Sequence, residues 1–549
     1  MNPFKLLGKV NRGIARVISH ISSGAIGLIL HYFVINGLLG LFIQVLGFSY
    51  EHFFPYTAER QAELKLLTEQ KQWVELYTQL DVIPYFLISV GGYLFGFIFA
   101  IIGLVKAQPI FSERKQEKTS KKYSTFGNAR YATQSEITKL GLKGNGIVFG
   151  KRSGSLVEKP PQIEGHALVV GGTGTGKSRG IAIPTLLRWQ GAALVVDIKG
   201  ELSNLTAGAR PGKVFIFDPE GEGDPYDPLL EAKTIDGAQE LARTLIPNPK
   251  SGDTFWTKTA QGLLAAAALE GAHTGKTLSE VTEKLCTTPP DELTAYLQRS
   301  EIKAVRLLSS VAVGMPEKTI GGVMAELRSH LLTLAADENV NRATHKSTWT
   351  AQSLEEGATV YLRVSEHMLA QYKELWSVII NQIMRHLSKR PEKANPPILL
   401  LLDELPRLGA IPSLIDALAT LRSRNVHIVP IVQSMAQLDT IYGQNERKVI
   451  ADNCRFKFVL SATDPETQKY FSDLAGQRTA LAQGRTVGAG LVPNFSVNEQ
   501  GTPLIRPETW ARLEKPILFA PGLQPAQIDL AFWDQERELK TLVRNRALA

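Results

Sequence analysis

The sequence predicts an α/β protein with a doubly wound, mostly parallel sheet. A mainly helical domain is inserted into the sheet, and a two-helix membrane anchor precedes it. Three observations carry this. A glycine-rich loop ending in lysine and serine, GGTGTGKS at 171–178, follows a short apolar run and opens a helical one. Strand-like runs alternate with helical runs from about residue 126 onward. Two uncharged apolar stretches, 24–48 and 82–105, are each long enough to cross a bilayer.

The chain has 549 residues, too many for one ordinary domain. Residues 1–23 are basic, and Lys5, Lys9, Arg12 and Arg16 precede the first apolar stretch. Lys106, Arg114, Lys115, Lys118, Lys121 and Lys122 follow the second, in the polar linker 106–125. The stretch between them, 49–81, holds more acids than bases and reads as a helical loop. Positive flanks face the cytoplasm, so both termini and the bulk of the chain are expected inside, with 49–81 outside. His31, Asn36 and Gln44 leave an amphipathic anchor open for the first stretch. Gly91, Gly92 and Gly96 suit close helix packing in the lipid bilayer, though glycine is also ordinary there. The formal charge of +8 leans weakly toward polyanions, and the anchor's flanks account for part of it. Cys286 and Cys454 are too few and too far apart for a disulfide framework or a metal cluster.

In the loop, Gly171 and Gly176 frame Gly172, Thr173, Gly174 and Thr175, and Lys177, Ser178 and Arg179 follow. Glycines let successive N–H groups turn toward phosphate oxygens. Lys177 is placed to reach the β- and γ-phosphates. Ser178 is placed to hold Mg²⁺ and to start a helix whose N-terminus favours anions. The nucleotide expected is ATP.

Nucleotide hydrolysis needs acids at the end of another strand. The run ILLLLDE at 398–404 can only be a strand buried on both faces, with Asp403 and Glu404 emerging at its C-terminal end. Asp403 suits the Mg²⁺ shell and Glu404 the activation of a water. VVDIKGE at 195–201 offers Asp197, Lys199 and Glu201 as a rival set. Two adjacent acids ending the more apolar strand favour Asp403 and Glu404. Further on, 417–434 reads as helix, turn and strand, and Gln433 at the strand's end is a candidate γ-phosphate sensor. Arg422 and Arg424 at the helix end either complement the helix dipole or supply a finger to a neighbouring subunit's nucleotide.

Strands are predicted at 146–149, 167–170, 192–197, 213–217, 359–364, 398–402, 426–432 and 456–462. Residues 233–345 carry almost no strand signal and are read as the inserted helical domain. The flanking parts of the nucleotide-binding domain are then 126–232 and 346–549. Residues 481–504 are Gly-rich, nearly uncharged and read as a flexible loop.

The ordered set of motifs resembles the TraG/VirD-type coupling proteins of conjugative type IV secretion systems. It runs through FGNARYAT at 126–133, the glycine loop, VVDIKGE, and VFIFDPEG at 214–221. It continues with LLLLDELPRLG at 399–409, IVPIVQSMAQLDTIYG at 428–443, IADNCRFKFVLSATDPET at 450–467, and PLIRPETWARL at 503–513. The resemblance implies a RecA-like motor domain with an inserted all-alpha domain. It implies an ATPase of the bacterial inner membrane that assembles as a homohexamer around a channel. The partners implied are a relaxase bound to single-stranded DNA, protein effectors, and the inner-membrane components of the secretion channel. Lys177, Ser178, Asp403, Glu404 and the sensor Gln433 fall on the family's motifs. Arg422 is the choice for the arginine finger, with Arg424 in reserve. Two alternatives stand beside it: a receptor that uses nucleotide without translocating, and an FtsK-like double-stranded DNA translocase. The second would need a C-terminal winged helix, for which 515–549 leaves little room. An LSGGQ-like transporter signature is missing from the sequence.

Overall fold

The computed structural model describes residues 125–249, 252–486 and 494–544. The expected membrane spans, the loop between them and the linker as far as 124 lie outside the described residues. Among the described residues, no helix is long and apolar enough to cross a membrane.

Thirteen strands are seen among the described residues. They are β1 Ile147–Arg152, β2 Ser155–Lys159, β3 Ala167–Val170, β4 Ala192–Ile198, β5 Val214–Phe217, β6 Thr359–Val364, β7 Ile398–Leu402, β8 Val426–Val432, β9 Phe456–Val459, β10 Gln477–Thr486, β11 Asn494–Pro503, β12 Ile517–Phe519 and β13 Ala526–Gln527. Nine of them form one sheet in the order β13-β12-β9-β3-β8-β7-β4-β6-β5. The seven from β9 to β5 run parallel, and β12 and β13 add an antiparallel margin.

Side chains alternate across the sheet, and the burial of both faces shows why the central strands are apolar throughout. Leu168, Val170, Leu194, Val196, Leu400, Leu402 and Ile428 belong to one core. Val169, Val195, Leu399, Leu401 and Val429 belong to the other. The second core is closed by the β1–β2 hairpin through Ile147, Phe149 and Val157, and by helix α1, Ile183–Arg188, which follows the glycine loop. Helix α2, Glu201–Thr206, follows β4 after Gly200, which is left-handed at φ 73°. A Cβ at Gly200 would lie 2.6 Å from the Arg363 guanidinium, so both conformation and space require glycine there.

Between β5 and β6 the chain is helical: α3 Ile235–Leu245, α4 Phe255–Thr274, α5 Leu278–Thr287, α6 Pro290–Gln298, α7 Lys303–Ser309, α8 Glu317–Ala336, α9 Glu338–Thr344 and α10 Ala351–Glu355. Helix α4 is the axis of this block. Its alanine-rich length is buried through Ala260, Leu263, Leu264, Ala266, Ala267 and Leu269 against α3, α5, α7 and α8. Small side chains let these helices approach closely. The ends are set by Thr234 and Asp337 as N-caps and by a Thr277–Glu280 capping box. The last of these helices, α10, contacts strand β4 of the sheet.

After β6, helix α11, Leu369–Leu387, covers the sheet. Helix α12, Leu414–Thr420, leads through a turn into β8, and helix α13, Met435–Tyr442, leaves it. In the stretch expected to be a flexible loop, 481–504, residues 481–486 and 494–503 are strand. Most of it forms the β10–β11 ribbon, in register from Gln477↔Pro503 to Thr486↔Asn494. The ribbon is a separate two-stranded sheet whose backbone groups pair with each other. Gly-rich, nearly uncharged sequence hid it.

Candidate nucleotide site

The glycine loop leaves β3 between the ends of β8 and β9. Gly171 N–H donates to the Val432 carbonyl at 3.1 Å, and Gly172 N–H to Ser461 Oγ at 3.2 Å. Gly174 and Gly176 have φ of 76° and 88°, which curls the loop around its own centre. Thr175 Oγ1 closes the curl by donating to the Gly172 carbonyl at 2.8 Å. Lys177 is 8% exposed, and its Nζ donates to the carbonyls of Gly171 and Gly172 at 2.7 and 2.9 Å. Its pKa is lowered by burial, against the pull of Asp403 and Glu404. The chain becomes helical at Ser178, in the wide turn Ser178–Ala182.

Asp403 directly follows β7, one strand beyond β8, yet it comes to the loop. Ser178 Oγ donates to Asp403 Oδ2 at 3.4 Å. Adjacent strands are about 4.8 Å apart, so two side chains close the gap left by β8. Burial, then Glu404, push the Asp403 carboxyl up to about 6, with Asp197 adding in the same direction; Lys177 and the Glu404 N–H oppose them. A buried acid this poorly compensated fits a divalent cation, and the Ser178 hydroxyl is the second oxygen beside it.

Glu404 stands in the left-handed region, at φ 50° and ψ 41°, a strained place for glutamate. Its Oε2 accepts from Arg407 Nη1 at 3.0 Å, and the same nitrogen donates to Glu366 Oε1 at 2.9 Å. Lys199 pairs with the other Glu366 oxygen at 3.4 Å. The rival acid, Asp197, is fully buried and has other work. Its two oxygens accept from the N–H groups of Leu202 and Ser203 at 3.0 and 2.7 Å, capping α2.

Gln433 follows β8 directly and is half-buried beside the loop. Its N–H donates to Gln437 Oε1 at 3.2 Å. Arg179 turns its guanidinium to Asp534 in a bidentate pair at 2.8 and 2.6 Å, with the Phe532 ring 4.4 Å away. What Arg179 offers the loop is therefore its backbone N–H.

Arg422 and Arg424 are not brought to this chain's own loop. They sit in the turn before β8, at the N-terminal ends of the parallel strands, whereas the loop is at the C-terminal ends. Seven strand residues separate the two ends by about 20 Å. Arg422 is exposed. Arg424 donates from Nη1 to the Arg390 carbonyl and accepts at its own carbonyl from Arg390 at 3.1 Å, so its side chain braces the turn.

Sequence reasoning passed over Ser461 and Arg407. Ser461 needed the knowledge that β9 neighbours β3. Arg407 lay in full view three residues after Glu404, which is one turn away in a tight helix.

Sheet order, loop and paired strand-end acids define the class: a RecA-like P-loop α/β protein. The family described as Type IV secretory system Conjugative DNA transfer matches residues 111–546, and the chain belongs to it. It is 27% identical over 476 residues to Protein VirD4 of Rhizobium radiobacter, covering 81% of this chain and 68% of that one. It is 28% identical over 404 residues to Conjugal transfer protein TraG of Escherichia coli, covering 65% and 63%. The fold is similar to that of the plasmid coupling protein TrwB. The form in complex with a non-hydrolysable ATP analogue matches with a TM-score of 0.60 at 22% identity, over 74% of this chain and 93% of that one. The form with ADP and Mg²⁺ gives 0.59 at the same identity and coverage.

Proposed function

We propose that the chain is an ATP-hydrolysing coupling protein. It recruits a relaxase carrying single-stranded DNA, and protein effectors, and passes them to a type IV secretion channel. The observation that carries the reading is the meeting of Lys177, Ser178, Asp403 and Glu404 at the C-terminal ends of the interior strands β3 and β7. The family and the nucleotide-bound TrwB relatives support it.

In this reading the loop N–H groups and Lys177 bind the phosphates of ATP. Lys177 gives up its two loop carbonyls to do so. Ser178 and Asp403 would hold Mg²⁺, which supplies charge neutralisation on the phosphates when bound. Glu404 orients a water and takes its proton once Arg407 is displaced or shared. Gln433 links the γ-phosphate to β8 and α13. Arg422, from a neighbouring copy in a homohexamer, stabilises charge in the transition state. In this reading the homohexamer would be anchored in the bacterial inner membrane through the expected spans 24–48 and 82–105, with the ATPase domain in the cytoplasm.

The test is ATP hydrolysis by the full-length protein in detergent, with and without single-stranded DNA, against Lys177→Ala. A DNA-stimulated rate lost in the variant supports the motor. A flat, DNA-independent response, or equal rates for the two proteins, overturns it.

A further inference from the structure

We infer that His166 is a positioning residue for Arg422, fastening both sides of the turn that presents it. This rests on the reading of Arg422 as the finger.

His166 immediately precedes β3 and is fully buried. Its Nε2 lies 3.1 Å from the Leu418 carbonyl, near the end of α12. Its Nδ1 lies 2.9 Å from the Ile428 N–H, in β8. A carbonyl can only accept and an N–H can only donate. Both bonds therefore require one state of the ring: neutral, with the proton on Nε2. Burial pushes the imidazole down to about 3, and Lys159 and Arg422 act in the same direction. One rigid side chain thus spans the segment from four residues before Arg422 to six after it.

The rest of the turn is fastened as well. Leu421 is buried. The Ser423 carbonyl accepts from the Lys393 N–H at 2.8 Å, and Asn425 Nδ2 donates to the Ala394 carbonyl at 3.0 Å. Asn425, left-handed at φ 59°, ends the turn. Amid these ties Arg422 is exposed, and among the described residues its side chain makes no hydrogen bond or ion pair. A buried imidazole is a costly way to join a helix to a strand, since an apolar side chain would fill the space. What it adds is direction. β3 carries the glycine loop at one end and, through His166, holds the Arg422 turn at the other. The two elements a copy would offer to two different nucleotides are then referenced to one strand.

The experiment measures steady-state ATP hydrolysis by the full-length protein for Arg422→Ala, His166→Phe and the double variant. His166→Asn retains an acceptor for Ile428, and His166→Gln retains a donor for Leu418. Both are included, with thermal unfolding of each protein. The expected result for His166→Phe is a fall in kcat of the same order as for Arg422→Ala, with KM for ATP unchanged. The double variant should be no worse than the worse single variant, because both changes remove one function. His166→Asn and His166→Gln should fall between wild type and His166→Phe, and they decide the matter if His166→Phe does not fold. Folded His166 variants with wild-type kcat overturn the inference. So does a double-variant loss equal to the product of the single losses, the mark of a purely structural residue. If Arg422→Ala itself keeps wild-type kcat, the finger reading falls and takes this inference with it.

Discussion

Replacing Asp403 with asparagine should stabilise the nucleotide-free protein while destroying its use of Mg²⁺. The carboxyl titrates near 6 in the fold, against an ordinary value of 3.8. That gap corresponds to about 3 kcal/mol of disfavour for the ionised form. The sign follows from linkage. The folded pKa lies above the unfolded one, so the penalty is absent below about pH 4, grows between 4 and 6, and is complete above about 7. Asparagine removes the charge but loses an acceptor for either Ser178 or the Glu404 N–H, which costs about 1 kcal/mol or more, so the expected gain at pH 8 is about 1–2 kcal/mol. Thermal unfolding of the nucleotide-free protein from pH 4.5 to 8 reads this as a Tm rise of a few degrees at the alkaline end, shrinking toward zero at the acid end. Mg²⁺-dependent stabilisation by a non-hydrolysable ATP analogue should vanish in the same variant. A lower Tm at pH 8, or a shift independent of pH, would refute the reasoning that this site stores an uncompensated charge for a cation.

Other consequences can be checked separately. Asp197→Ala should cost about 2–4 kcal/mol, seen as a lower Tm, because two buried N–H groups of α2 lose their acceptor. Glu404→Gln should lower kcat by about 10²–10⁴-fold while nucleotide binding persists, which equilibrium titration with a fluorescent analogue can show. Cys454 is buried, with its thiol pushed up to about 12, and Cys286 is half-buried. A thiol reagent should therefore modify Cys286 first in the native protein and Cys454 only after denaturant is added.

Much of the candidate site was legible because its residues sit where pattern changes abruptly. Ile398 to Leu402 are apolar without a break, and Asp403 ends the run. Val170 passes directly into glycines. What was not legible depended on strand order. Asp197 and Asp403 end strands of similar composition, and only the geometry gives one to a helix cap and the other to Ser178. Arg422 and Arg424 are two residues apart in a tight turn, and spacing alone could not say which would be spent on the Arg390 carbonyl. β12 and β13 are three and two residues long, too short for any period to show. β2 ends in two charged residues that are nonetheless buried, Glu158 and Lys159, so its sequence shows no apolar alternation.

The polarity of the sheet also constrains how the site is completed. In a parallel sheet, groups at the N-terminal ends of strands face away from every ligand bound at the C-terminal ends. Arg422 lies on the first side and Lys177 on the second, about 20 Å apart along a strand both elements depend on. No rotamer of Arg422 closes that distance, and the fastened turn forbids a large backbone excursion. If Arg422 acts on a phosphate at all, that phosphate belongs to another copy. Hydrolysis should then depend on protein concentration. Mixing Arg422→Ala with Lys177→Ala subunits should also restore part of the activity that each lacks alone, because an interface pairing an intact Lys177 with an intact Arg422 can form. An unrestored mixture in which the two variants demonstrably co-assemble would count against the shared site.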